Sequence, residues 1–143
     1  MPVVLIGVDN SDSSTRAVEL GLRVAESLGQ GLLLAHVIPW SPFSFQTPTE
    51  NEHRHAQRES EVAAAQEQVI APMVALTQGH PVQVDTVVRH GSPSDELIDL
   101  AEAYAASHLL VGRTGDSHLK VSLFGSVASR LAQHAPLPVT VVP

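Results

Sequence analysis

VVLIGVDNSDSS, residues 3–14, sets the frame for the whole chain. Val3 to Val8 is a continuous apolar run that stops at Asp9, and such a run reads as a strand buried on both faces. The polar residues from Asp9 to Ser14 then offer several helix caps. Beyond them Ala17, Val18, Gly21, Leu22, Ala25 and Leu28 recur at helical spacing, and the stripe stops near Gly29 and Gly31. A doubly buried strand that turns straight into an amphipathic helix is the first half of a βαβ unit, so a parallel sheet is expected.

The same pattern recurs along the chain. Leu32 to Ile38 is a second buried strand, closed by Pro39. Trp40 to Thr49 is a loop holding Trp40, Phe43 and Phe45, which reads either as a flap packed on the next helix, the favoured reading, or as an exposed partner site. From Glu50 a long helix begins. Its first half is nearly all polar; its second half carries Val62, Val69, Ile70, Met73, Val74 and Leu76, and Pro72 predicts a kink or break. Val82, Val84, Thr86 and Val88 alternate as a third strand. Ser92-Pro93-Ser94-Asp95 is a helix start, with Ser92 as cap and Pro93 at the first position. Leu109 to Val111 is the centre of a fourth strand, a helix is expected from about Ser126 to His134, and Pro138 to Val142 is the fifth strand. Strands are therefore expected near 3–9, 32–38, 82–88, 108–112 and 138–142, alternating with helices on both faces of one α/β sheet with right-handed crossovers.

A length of 143 residues suits a single domain, 1–143. With no cysteine, disulfides, thiol catalysis and thiolate metal sites are excluded. The lack of cysteine suits a reducing compartment, and the cytoplasm is the expected location. No basic segment precedes the apolar run at the N-terminus, so no signal peptide is expected. The long uncharged segment, 30–49, contains Pro39, Pro42 and Pro48 and does not read as a membrane span. A net charge of -7 repels phosphate backbones, which argues against nucleic acid as a partner.

In sheets of this class, ligands bind beyond the carboxyl ends of the strands, where the strand order reverses. Asp9, Val37 and the stretch GRTGDSHLKVSLFGSVAS, residues 112–129, all fall at such ends. Glycines let backbone N–H groups converge on an anion, and a following helix N-terminus adds unpaired donors. By spacing alone, Gly112, Gly115 and Gly125 suit either a nucleotide site or a plain surface turn.

The stretch also resembles a specific pattern. Gly112-x-x-Gly115, nine residues, then Gly125-Ser126 is similar to the G-x2-G-x9-G-[S/T] signature of the universal stress protein family. Ile6-Gly7-Val8-Asp9-Asn10-Ser11 resembles that family's opening segment. His36-Val37, Gly125-Ser126-Val127 and His134-Ala135-Pro136-Leu137-Pro138-Val139 extend the likeness over nearly the whole chain. The resemblance implies an open Rossmann-like α/β fold of strand order 3-2-1-4-5, a homodimer through strand 138–142, and bound ATP. It implies that Gly7, Val8 and Asp9 contact adenosine, with Asp9 on the ribose, and that Val37 meets the adenine. Gly112, Arg113 and Gly115 would line the ribose and phosphates, and Gly125, Ser126 and Val127 would hold the phosphates. Two positions depart from the family pattern: Ala128 stands where a second hydroxyl residue is frequent, and His108 where an Asp is frequent.

No catalytic residue is assigned. Ser126 has no base near it in sequence. The histidines, His53, His55, His80 and His90 among them, show no helix-compatible ligand spacing and read as solvated surface groups. Mg²⁺ bridging ATP phosphates is the expected cation, since that ion binds mainly through phosphate and water. The leading expectation is an ATP-binding regulatory stress-response protein whose nucleotide state alters contacts with a protein partner. The alternative is a slow ATP hydrolase or transferase of the adenine nucleotide α-hydrolase type. Those enzymes carry a glycine-rich loop after strand one, where this chain has Asn10-Ser11-Asp12-Ser13.

Overall fold

The structure, a computed structural model, describes residues 2–39, 48–114 and 123–143. Strands β1 (Val3–Gly7), β2 (Gly31–Pro39), β3 (Val84–Gly91), β4 (His108–Gly112) and β5 (Val139–Val142) form one sheet in the order β3-β2-β1-β4-β5. Every neighbouring pair is parallel. Leu5 sits between Leu33 of β2 and Leu109 of β4, so β1 lies in the middle of the sheet. The open α/β sheet of order 3-2-1-4-5 is therefore present.

The apolar runs divide residue by residue between two cores, because successive side chains point to opposite faces. Val4 and Ile6 of β1, with Leu32 and Leu34 of β2, pack under helix α1 (Asp12–Leu28) against Ala17, Val18 and Leu22. Leu5, Leu33, Leu109 and Val111 face the other way, against Leu97, Leu100 and Ala101 of α4 (Pro93–Ala103) and Ala128 and Leu131 of α5 (Leu123–His134). A strand flanked by helices on both faces needs apolar residues at every position, which is why the runs show no alternation.

The long helix breaks where Pro72 predicts. Helix α2 (Pro48–Ala65) widens into a π-helical turn (Gln66–Ile70) and continues as α3 (Ala71–Ala75). The Ala71 N–H reaches the Gln66 carbonyl, five residues back. The wider turn makes room for a proline ring that has no N–H and would clash with the carbonyl four residues earlier. The turn also presents Val69 and Ile70, with Met73 of α3, to the α1 core.

Several boundaries differ from the sequence reading, three of them near the site or by more than a residue. Strand β1 ends at Gly7, although the Val8 N–H still bonds the Ala35 carbonyl at 2.8 Å. Strand β3 runs over 84–91 rather than 82–88, because its ladder follows β2 as far as Pro39↔Gly91. Helix α5 starts at Leu123, three residues before Ser126. Ser92 does cap α4 in extended conformation, with Pro93 at the first position, but its side chain makes no capping bond.

Gly21 of α1 lies directly over β1: a Cβ there would meet Ile6 Cδ1 at 2.2 Å and Cγ1 at 3.1 Å. Ile6 is wholly buried. Gly21→Ala is expected to cost about 1–3 kcal/mol through overpacking, against the roughly 1 kcal/mol that alanine adds in helix propensity. In the Ile6→Val background, which lacks Cδ1, the same change should cost clearly less. Urea unfolding of the four proteins of this cycle measures the coupling.

Candidate functional site

β1 feeds α1 toward β2 on one side, and β4 leads on toward β5 on the other. The chain diverges at the carboxyl ends of β1 and β4, the place where an open α/β sheet leaves a crevice. Gly7, Val8 and Asp9 lead out of one of these ends, the first wall; Gly112, Arg113 and Thr114 lead out of the other, the second wall.

Serine caps build the first wall. Ser11 is the N-cap of α1 and accepts from the Ser14 N–H at 3.1 Å. Asp9, 8% exposed, accepts on Oδ1 from both the N–H and the hydroxyl of Ser11, at 2.9 and 2.5 Å. The Asp9 N–H in turn donates to Ser14 Oγ at 3.0 Å. Asp9 thus closes its own turn, where the sequence reading gave its carboxylate to a ligand. Asp12 places an acid in the first turn of α1. The Ser14 N–H is thus capped, and a carboxylate of the same chain stands at the positive dipole end of this helix.

Ser13 joins the two walls. It is wholly buried. Its hydroxyl donates to the Thr114 carbonyl at 2.6 Å and accepts from the Thr114 N–H at 3.3 Å and the Thr114 hydroxyl at 3.2 Å. Gly112 permits this: a Cβ at 112 would lie 2.3 Å from Ser13 Oγ and 2.9 Å from the Ser13 carbonyl carbon. The Arg113 N–H bonds the Val142 carbonyl at 2.6 Å, so the exit from β4 is tied to β5 as well. Ser13 and Thr114 were not singled out as site residues in the sequence. The run of serines signalled only helix caps, and the contact spans 101 residues of chain.

Gly7 pairs with Ala35 and Val111, and a Cβ on it would press on Leu97 Cδ1 at 3.0 Å. Val37 stands near the carboxyl end of β2, its side chain 8% exposed in the α4 core. His36 Nδ1 lies 2.7 Å from the Val8 carbonyl, which can only accept, so that nitrogen carries the proton. Gly125 and Ser126 are the third and fourth residues of α5, inside its first turn and not at its start. Ser126 is exposed, and Val127 packs on the α4–α5 core. Arg113 is exposed. Gly115 and the flap residues Trp40, Phe43 and Phe45 lie outside the described residues.

Among the described residues, no group of three or more His, Asp or Glu side chains is arranged to hold a metal. His90 corrects one reading. It belongs to β3, with a side chain only 13% exposed and Nε2 2.9 Å from Glu61 Oε2. It clasps α2 to the sheet rather than standing in solvent. His80 is likewise paired, with Glu26 at 2.6 Å.

The sheet order, the reversal at β1 and β4, and the turns that meet there define an open, doubly wound α/β domain. The chain belongs to the universal stress protein family, whose model matches residues 1–143. Universal stress protein G of Escherichia coli O157:H7 is 32% identical over 146 residues, covering 99% of this chain and 95% of that protein. A universal stress protein of Methanocaldococcus jannaschii is 27% identical over 140 residues, covering 97% and 80%. The chain spans about half (47%) of the length of a Mycobacterium tuberculosis relative that is 29% identical to it. Among solved structures, UspA of Lactobacillus plantarum superposes with a TM-score of 0.80 at 23% identity, covering 99% and 97% of the two chains. The universal stress protein of Archaeoglobus fulgidus, solved in complex with dAMP, superposes with a TM-score of 0.72 at 20% identity, covering 100% and 98%. A universal stress protein solved in complex with cAMP superposes at 0.60 with 26% identity, covering 99% and 96%.

Gly112→Ala should push the start of α1 off the end of β4, since the obstructing atoms include Ser13 backbone. A loss of about 1–3 kcal/mol in stability is expected. The urea midpoint of the variant, at unchanged slope, measures it.

Proposed function

We propose that the crevice between β1 and β4 binds ATP, with Mg²⁺ bridging its phosphates, and that the nucleotide state alters contacts with a partner protein. The observation that carries this reading is the contrast between the two helices that open on the crevice. The first turn of α1 is capped and holds Asp12; that of α5 has no acidic residue and contains Gly125 and an exposed Ser126. An anion is drawn to the helix terminus that offers donors without a competing carboxylate. Relatives of the same fold solved with dAMP and cAMP support an adenine ligand.

In this reading Gly7, Val8 and Asp9 meet adenosine, and Val37 lies by the base. Gly112, Arg113 and Gly115 line the ribose and phosphates. Gly125, Ser126 and Val127 hold the phosphates. Asp9 keeps its bonds to Ser11 and adds one from a ribose hydroxyl, since a carboxylate can accept about four. The hydrolase or transferase alternative needs phosphate at the turn after β1. There the chain has no glycine, and Asp9 and Asp12 would repel the phosphate. The protein is further proposed to act in the cytoplasm as a homodimer through β5, where Val141 is 39% exposed on an edge strand.

Ser126→Ala should weaken ATP about tenfold, the worth of roughly one hydrogen bond. Gly125→Val should weaken it more, by placing a side chain among the phosphate oxygens. Asp9→Ala should weaken ATP more than inorganic triphosphate, which offers no ribose. Calorimetry measures all three, with folding checked by circular dichroism. A folded Gly125→Val protein that binds ATP as the parent does would refute the site. Val141→Lys should convert a dimer to a monomer in sedimentation at micromolar concentration.

A further inference from the structure

We propose that Ser13 is a positioning residue for the phosphate side of the site: its buried hydroxyl fixes the backbone of Thr114 as the chain leaves β4, and with it residues 112–114, which the ATP reading puts beside the ribose and phosphates. The proposal rests on the ATP reading above and adds a residue to it.

Three observations support it. First, the hydroxyl is wholly buried, where a helix cap or solvent contact would leave it exposed. A buried hydroxyl must be hydrogen-bonded, and this one spends its bonding on one residue, Thr114. It accepts the Thr114 N–H and donates to the Thr114 carbonyl, so both backbone groups of that residue are fixed from α1. Second, Gly112 removes the side chain that would block the approach, with Ser13 Oγ 2.3 Å from where a Cβ would stand. Third, the intervening Arg113 N–H is fixed from the opposite side by Val142 at 2.6 Å. Successive peptides are thus tied alternately to β5 and to α1, and the next residue is Gly115 of the glycine motif.

The protons also connect the two walls. Ser11 and Ser13 each have one hydroxyl proton. Ser11 gives its proton to Asp9 and Ser13 gives its own to Thr114. Their oxygens, 3.4 Å apart, therefore meet as acceptors without a shared proton. The adenosine wall and the phosphate wall are set by neighbouring but separate bonds, so loss of the Ser13 hydroxyl should disturb the phosphate side while leaving Asp9 in place.

Ser13→Ala tests this against ATP and adenosine in parallel, with exchange of the Thr114 amide followed in the nucleotide-free protein. The expected result is about a tenfold loss of ATP affinity, less than about twofold for adenosine, and at least about tenfold faster exchange at Thr114 with protection kept at Ile6 and Leu110. Ser13→Cys, which keeps the size but bonds weakly, should fall between parent and Ser13→Ala, and it serves as the test should Ser13→Ala not fold. Equal losses for ATP and adenosine would mean a general packing role and overturn the proposal, as would unchanged Thr114 exchange. A parent protein that binds neither ligand would instead refute the ATP reading. The exchange measurement would then still decide whether Ser13 holds Thr114.

Discussion

The start of α1 and the end of β4 approach so closely that position 112 has no room for a side chain. Much of the site follows from that one contact. Because the approach seals Ser13 from water, its hydroxyl must find a partner in the protein, and the backbone of Thr114 is what lies beside it. The contact that demands glycine at 112 therefore also fixes residue 114. Through it the two chain segments that diverge from the middle of the sheet are bonded directly to each other.

Charge and capping then decide which helix terminus is left for an anion. Helices α1 and α4 both carry acids in their first turns, Asp12 in one and Asp95 and Glu96 in the other. Each acid offsets the positive dipole end on its own helix. The first turn of α5 has none. In a chain of net charge -7, long-range steering opposes an anionic ligand, so the proposed binding would rest on short-range donors. The uneven placing of the acids is the physical ground on which the proposed phosphate site in this molecule rests.

The strands and the first helix were legible in the sequence because burial on both faces leaves an unmistakable apolar run, as at Val3 to Val8. The break at Pro72 was legible for a covalent reason, the missing N–H, though not the π turn that absorbs it. What escaped was set by tertiary partners. The extent of β3 depends on how far β2 continues, which nothing in Val82 to Val88 encodes. His90 read as a surface group because its partner, Glu61, belongs to a different helix 29 residues away. Ser13 read as one of several interchangeable caps. In the fold it is the residue that reaches β4, while Ser11 does the capping. The bonds from Ser11 to Asp9 were not legible for a related reason, since they are a local turn that the apolar pattern does not report.

The two sheet edges are built differently, and the difference bears on how a nucleotide state could be read out. Strand β3 carries Asp85 and Arg89, charges of the kind that discourage another strand from pairing, and α2 is clasped over its end by the His90–Glu61 pair. Strand β5 is Val-Thr-Val-Val, with no charge and with Val141 partly in solvent. Of the two, β5 is the edge suited to a partner. It is also the edge bonded to the crevice: Val142 holds the Arg113 N–H, one residue from Gly112 and one from Thr114. A ligand that tightens the exit from β4 acts on the same peptide that ends the β4–β5 ladder. If phosphate binds as proposed, the path from it to the β5 edge would run through a backbone hydrogen bond, from the Arg113 N–H to the Val142 carbonyl.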